Sequence, residues 1–465
     1  MNKPLFSFFL FAALCLNHSA SAATDDPLRF DPTRYTEQTL QLPNGESIRY
    51  RAYEQLYYVT NIEDKAFQFL NIYIPESATA DSPIFLRTYV GGYMAATART
   101  PSTRDASARA LQQGYVLCIA GSRGWNSTVE VDGQKRHTGR APAAILDLKA
   151  AVRYLRHNDD VMAGNAEHII TDGTSAGGAM SSLLGSSGNS ELFAKQLKAM
   201  GAADERDDVF AAVCFCPIID LEHADMAYEW LYGCTNDKVR KLSVEQKAIS
   251  NDLAKQFPAY INSLQLKDTY GKLITSEKYL GHIKHYIKQS AQKAVDNGVE
   301  IPSNIGITVR NGKVAEIDMP TYLNYVATTR ELKTPPSFDA QGFLNNRPTP
   351  ENQLFGDEQG SAVNFTTYGT SHSGGKIDAE LQLRINMMNP MYHLHSASDK
   401  APHWYIRHGA RDRDTAFSVP VNLATKLQNM GYDTDFELAW DRGHEGDYDL
   451  DQLFDWINKV VNDSK

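Results

Sequence analysis

Two periods of hydrophobic spacing alternate along the first half of this chain, and the switches between them mark its elements. Phe67 to Ile74 alternates apolar and polar residues, as a half-buried strand does. Ile84 to Val90 is a second strand, ending at Gly91-Gly92, and Tyr115 to Ala120 a third, ending at Gly121-Ser122-Arg123-Gly124. Between Ala144 and Leu155 the period changes, and Ile145, Leu148, Ala151, Val152 and Leu155 fall on one helical face. His168-Ile169-Ile170-Thr171 is strand-like, and Gly177 to Leu184 is helix-like. Val209 to Ile219 is almost continuously apolar, the pattern of a parallel strand covered on both faces. Strands alternating with helices predict an α/β fold with a mainly parallel sheet and right-handed crossovers.

The alternation breaks near Leu221. From there to Ser398 the chain is polar and largely helical, with charged runs such as Lys278 to Lys293. Loop-like stretches occur at Pro335-Pro336, Asn345 to Pro350 and Ser371 to Gly375, and no strong parallel strand is predicted before Phe365. The sheet pattern resumes at Trp404 to His408. A helix from Ala416 to Met430, stopped by Gly431, and a last strand from Phe436 to Trp440 follow. Leu450, Leu453, Phe454, Ile457 and Val461 then line one face of a closing amphipathic helix. The expected organisation is an α/β domain in two parts, residues 23–220 and 399–465, around an inserted, mostly helical lid of residues 221–398.

Residues 1–22 read as an export signal. Lys3 supplies a short basic region, Leu5 to Leu16 an apolar core, and Ala20-Ser21-Ala22 a small-residue cleavage site. The core is too short for a permanent membrane anchor, and Leu14 before Cys15 argues against lipoprotein processing. A soluble, exported chain beginning near Ala23 is expected, in the periplasm or the medium. The net charge of −10 argues against nucleic acid or an anionic membrane as partner. Cleavage would leave Cys118, Cys214, Cys216 and Cys234. Cys118 and Cys214 sit in apolar runs that suit buried thiols; if any pair forms, Cys216 with Cys234 is favoured. Cys214-Phe215-Cys216 lacks the further ligands a metal site needs. Asp447, Asp449 and Asp451 are explained more simply as acids at the start of a helix than as a cation site. No metal or cofactor is expected.

The strongest chemical signal is Gly173-Thr174-Ser175-Ala176-Gly177, a G-x-S-x-G between the strand-like run and the helix that follows. Strand, sharp turn with a central serine, then helix is the setting of a nucleophile elbow. Asp412 and His444 also fall at the ends of predicted strands, and the order Ser, Asp, His is that of the α/β-hydrolase fold. A serine hydroxyl needs a base within hydrogen-bond reach, and that base needs a partner to fix its tautomer. His444 would be the base and Asp412 its partner. Asp414 lies two residues on, and either acid could cap the next helix, but Asp412 is nearer the strand end. The oxyanion donors would be the Ala176 N–H and an N–H of Gly91-Gly92-Tyr93.

With these pieces in order the chain resembles a bacterial tannase of the α/β-hydrolase superfamily, over nearly all of its length after the signal. The resemblance rests on Val90-Gly91-Gly92-Tyr93-Met94, Gly173 to Gly178, Cys216-Pro217-Ile218 with Asp220-Leu221-Glu222, Asp412 to Thr415, and Gly443-His444 with Gly446 to Asp449. It implies a serine esterase that acts on galloyl esters of tannins and alkyl gallates, with Ser175, Asp412 and His444 as its triad. It also implies that Asp414, Lys333 (in Lys333-Thr334-Pro335-Pro336-Ser337-Phe338-Asp339) and Glu351 (in Pro350-Glu351-Asn352-Gln353-Leu354-Phe355-Gly356) contact the galloyl hydroxyls. The stretch between those two motifs, Gln341 to Thr349, is longer than the family pattern suggests. A feruloyl or other phenolic esterase on the same triad is the alternative; it would not need Lys333, Glu351 and Asp414 to converge.

Overall fold

The computed structural model describes residues 26–328, 330–343 and 347–464. The expected signal, residues 1–22, lies outside them. The described chain begins with two strands that hydrophobic alternation does not single out, β1 (Thr36–Gln41) and β2 (Ser47–Tyr57). β1 lies at the sheet edge with mostly exposed side chains, so it carries little apolar pattern. β3 (Phe69–Pro75), β4 (Pro83–Thr88), helix α1 (Ala106–Gln112) and β5 (Val116–Ala120) follow. A small antiparallel hairpin, β6 (Thr128–Val131) and β7 (Gln134–His137), precedes α2 (Ala143–His157). Then come β8 (Asn165–Thr174), α3 (Ala176–Ser186), α4 (Glu191–Ala199) and β9 (Ala211–Phe215).

Nine strands form one sheet, in the order β1-β2-β3-β5-β4-β8-β9, then the two late strands β12 (His403–Gly409) and β13 (Asp433–Ala439). From β5 onward every neighbouring pair is parallel, whereas β1, β2, β3 and β5 pair antiparallel. This is the α/β-hydrolase fold. Alternate residues of the central strands enter two cores. Ile84, Leu86, Ile169, Ala212 and Cys214 pack with α2 and α3 through Ile145, Leu148, Met180 and Leu183. Phe85, Ile170, Val213 and Phe215 pack on the opposite face with Ala110 and Leu111 of α1 and with Leu453, Phe454, Ile457 and Val461 near the C-terminus. Every residue of β4, β5 and β9 is buried, which explains their unbroken apolar runs.

Between the sheet neighbours β9 and β12 lie residues 221–398. They hold α5 (Leu221–Tyr232), α6 (Val244–Ser263), α7 (Ser276–Asp296), α8 (Met319–Val326), α9 (Pro350–Leu354), α10 (Thr367–Ser373), α11 (Ala379–Met387) and α12 (Pro390–His393). Between α7 and α8 sits an antiparallel hairpin, β10 (Ile307–Arg310) and β11 (Lys313–Ile317). Its turn is Asn311-Gly312, both at positive φ, a hairpin signal that the helical pattern around it obscures. Among the described residues the segment adds no strand to the main sheet, and the stretch from Phe365 leads into α10. Tyr279 of α7 bonds Asn422, and Tyr322 of α8 donates to the Ala410 carbonyl at 2.6 Å, so the segment is fastened to the sheet domain.

All four described cysteines are free, including Cys216 and Cys234, the pair favoured from sequence. Cys216 Sγ turns inward to the Glu445 carbonyl at 3.2 Å, while Cys234 Sγ folds back on the Leu231 carbonyl at 3.6 Å.

After β12 and β13, with α13 (Ser418–Asn429) between them, α14 (Leu450–Asp463) closes one face of the sheet. Its Phe454 ring lies 5.5 Å from Phe85 and 5.7 Å from Tyr115. Phe454→Ala should therefore lower stability by about 3–5 kcal/mol, read as an earlier midpoint in denaturant unfolding; an unchanged midpoint would mean that α14 is dispensable to the core.

Candidate active site

β8 ends at Thr174 and α3 begins at Ala176, so Ser175 alone makes the turn between them. Its backbone has φ 63° and ψ −123°, a strained conformation for a residue with a Cβ. Three backbone bonds hold it there. Its N–H donates to the Phe215 carbonyl at 2.9 Å, and its own carbonyl accepts from Ala179 at 3.0 Å and Ile218 at 3.3 Å. The flanking glycine is obligatory on steric grounds. A Cβ on Gly173 would sit 2.3 Å from the Gly177 carbonyl oxygen.

His444 lies on the loop after β13. Its Nε2 is 2.8 Å from Ser175 Oγ and its Nδ1 is 2.7 Å from Asp412 Oδ2. Asp412, on the loop after β12, is fully buried, and its second oxygen accepts the Asp414 N–H at 2.8 Å. Histidine therefore meets Asp412, not Asp414. Burial pulls the His444 pKa down, but the charge and hydrogen bond of Asp412 more than offset this, so the net shift is upward. Asp412 itself is held well below the usual carboxylate range: burial raises it, and the neighbouring histidines and hydrogen bonds overcome that.

The Ala176 N–H is at the first position of α3, where amides have no partner within the helix. Opposite it is the loop after β4. Gly92 has φ 55°, and its carbonyl accepts the Trp125 indole N–H at 2.9 Å, which fixes the peptide. Gly92 and Ala176 both line the cavity beside Ser175 and His444. Gly91 is set back, its carbonyl closing a turn with the Met94 N–H at 3.0 Å.

The cavity has a volume of about 460 Å³. Lys333, Glu351 and Asp414 all line it, brought from three separate parts of the chain. Burial lowers the Lys333 pKa, with Glu351 and Asp414 pulling back toward the charged form. Burial raises Glu351, and Lys333 opposes that. The Lys333 ammonium also lies 3.9 Å from the centre of the Phe338 ring. Asp414 pairs with the Arg413 guanidinium at 3.1 Å. Ile218, Arg330, Ser337, Thr349, Pro350 and Arg413, to which the sequence assigned no role, complete the lining together with Tyr93 of the Gly91-Gly92-Tyr93 loop. Ile218 and Pro350 give it apolar walls; nothing in their spacing separates them from core residues. Pro217-Ile218 at the end of an apolar strand run is the one available signal.

Asp447 has a different place from the one expected of an acid at a helix start. It forms a salt bridge with Arg87 of β4, Oδ1 at 2.7 Å, and accepts the Ala106 N–H at 3.1 Å. Arg87 also bonds Asp172 of β8. Asp451 pairs with Arg109, and Asp449 caps α14 by backbone conformation alone. Among the described residues two groups bring potential metal ligands together. Cys216, Asp412 and His444 belong to the site above, and Asp220, Glu222 and His223 are engaged with one another, Tyr260 and Asn389. No described helix is long and apolar enough to cross a membrane.

A family model described as BD-FAE matches residues 70–262. None of the curated proteins compared with the chain matches it significantly. Solved structures resemble it closely. The Fusobacterium nucleatum tannase is 38% identical over 93% of this chain and 99% of its own, with a TM-score of 0.84. The tannin acyl hydrolase from Lactobacillus plantarum is 39% identical over 93% and 99%, with a TM-score of 0.86. A tannin acyl hydrolase in complex with ethyl gallate gives 39%, 93%, 99% and 0.86 for the same measures. With that identity sustained along both chains, on the sheet and cavity described above, the protein belongs to the bacterial tannase family of α/β-hydrolases and is a carboxylic ester hydrolase.

Proposed function

We propose that this chain hydrolyses galloyl esters, including alkyl gallates and the esters and depsides of tannins, through an acyl-enzyme on Ser175. One observation carries the reading: Lys333, Glu351 and Asp414 face the same cavity as the Ser175–His444 pair. The ethyl gallate complex of a similar protein agrees with it. Adjacent phenol hydroxyls donate and accept at once, so two carboxylates can accept from them while an ammonium donates. Ile218 and Pro350 supply apolar surface for the ring.

In the first half-reaction Ser175 Oγ attacks the ester carbonyl as His444 Nε2 takes its proton. The N–H groups of Ala176 and Gly92 receive the negative oxygen of the tetrahedral intermediate, each such donor contributing about 10²–10³ in rate. His444 returns the proton to the departing alcohol. It then deprotonates a water that attacks the acyl-serine, and as the acyl–Oγ bond breaks it returns that proton to Ser175 Oγ and gallate is released. Asp412 holds the imidazole in the tautomer that presents a lone pair at Nε2 and stabilises the imidazolium. All of these steps use protein groups. The N-terminal segment supports export to the periplasm or medium, and residues 221–398, which supply Lys333 and Glu351, are read as a lid.

Purified wild type should hydrolyse methyl gallate far better than methyl ferulate, and Ser175→Ala should reduce gallate turnover on the order of 10⁶-fold. Lys333→Met should lower kcat/KM for methyl gallate by about 10- to 100-fold, the worth of a hydrogen bond to a charged group, with a short nitrophenyl ester affected far less. Turnover of the nitrophenyl ester without the gallate would keep the esterase and reject the substrate. The base must be neutral to act. Because the His444 pKa is raised, kcat/KM should fall as pH drops through a value above about 6.5. Asp412→Asn removes the cause of that rise, so the acid limb should move to lower pH while the rate falls about 10⁴-fold.

A further inference from the structure

We propose that one face of α5, through Tyr228 and Asp225, positions the phenol-binding groups and so sets the selectivity for hydroxylated rings; this rests on the galloyl reading above. Neither side chain lines the cavity. Both are buried, Tyr228 completely and Asp225 with 3% exposure. They lie three residues apart, and residues at this spacing share a helix face.

The Tyr228 hydroxyl joins two cavity walls. It accepts the Lys333 backbone N–H at 3.1 Å and donates to the Arg413 carbonyl at 2.9 Å. Lys333 belongs to the insertion and Arg413 to the loop between Asp412 and Asp414. A single hydroxyl therefore fixes the separation between the ammonium and the acid that are to meet the ring from different sides. Its one proton and an accepting lone pair are both in use, so its orientation is determined.

Asp225 secures the rest of the lysine loop. Its Oδ1 accepts the N–H groups of Ser337 at 2.5 Å and Phe338 at 2.8 Å, and its Oδ2 accepts that of Asp339 at 2.9 Å. Phe338 is the ring on which the Lys333 ammonium rests at 3.9 Å. The carboxylate thus sets the backbone that places the ring, and the ring places the charge. One turn further along the same face, Tyr232 donates to the Asp412 carbonyl at 2.9 Å and ties the helix to the loop that carries the acid of the triad.

These contacts assign Tyr228 and Asp225 as positioning residues that act through Lys333 and Asp414. The test is a double-mutant cycle on the full-length protein with methyl gallate, methyl benzoate and p-nitrophenyl acetate. Tyr228→Phe keeps the ring and its packing and removes only the bridging oxygen. It should lower the ratio of kcat/KM for methyl gallate to that for p-nitrophenyl acetate about tenfold, mostly through KM, the worth of the hydrogen bonds lost. In the Lys333→Met background the same change should have less than about a threefold effect on that ratio, since the two residues act as a unit. Asp225→Asn, which offers an N–H where the Asp339 N–H needs an acceptor, should act in the same direction, with methyl benzoate unaffected. An equal loss on all three esters would show a general structural role and overturn the proposal. So would no change in Tyr228→Phe, or full additivity with Lys333→Met. If the wild type fails on methyl gallate while hydrolysing p-nitrophenyl acetate, the galloyl reading falls first and this inference with it.

Discussion

A buried guanidinium shared between two carboxylates ties the strand that leads to Ser175 to the loop that carries His444. Arg87 lies opposite Asp172 in the β4–β8 pairing, and Asp172 is three residues before Ser175. The same guanidinium bonds Asp447, three residues beyond His444. Ser175 and His444 arrive on segments almost 270 residues apart, since their bond spans a sequence separation of 269, yet both segments are moored to one side chain. The Arg87 side chain is 5% exposed and Asp172 1%. Charges so deep in the protein are stable only together: removing one member leaves the others unpaired, at a cost of about 3–5 kcal/mol. The cluster therefore resists the loss of any member, and it flanks the 2.8 Å contact between Ser175 and His444 on both chain segments.

Lys333, Glu351 and Asp414 stand along the wall of the cavity, Asp414 paired with Arg413. Burial shifts Lys333 downward and Glu351 upward, and each opposes the shift of the other. On the proposed galloyl reading, a ring bearing hydroxyls would bond these groups, whereas a bare ring would leave donors and acceptors unsatisfied. Selectivity in such a cavity comes from the penalty on the wrong ring as much as from attraction to the right one.

Much of this was legible in the sequence, for reasons that can be named. Strands buried on both faces announce themselves as apolar runs, so β4, β5, β8 and β9 were found, and the glycine-flanked Ser175 stood out because only a tight turn demands that pattern. Asp412 and His444 could be placed because functional groups in open α/β sheets gather at strand ends. The antiparallel edge was invisible because β1 and β2 expose much of their surface. Lys333 and Glu351 look like ordinary surface charge until the chain folds; only the family resemblance marked them. Asp447 was misread because its partner, Arg87, is 360 residues away and no local pattern links them. The free thiols of Cys216 and Cys234 likewise answer to tertiary direction, not to spacing.

Asp412 and Asp414 share one short loop, and the backbone N–H of the second is bonded to the carboxylate of the first. That detail bears on how such enzymes can change over generations. Two of the cavity's charged groups, Lys333 and Glu351, ride on the insertion and can be remodelled with it, while a third, Asp414, is joined through its backbone N–H to Asp412. A lineage that drifts toward a different phenolic acid is free to rewrite the inserted segment but meets a brake at position 414, where any shift of the backbone is felt at the imidazole. Divergence in substrate should therefore accumulate on one wall of the cavity and leave the other nearly unchanged.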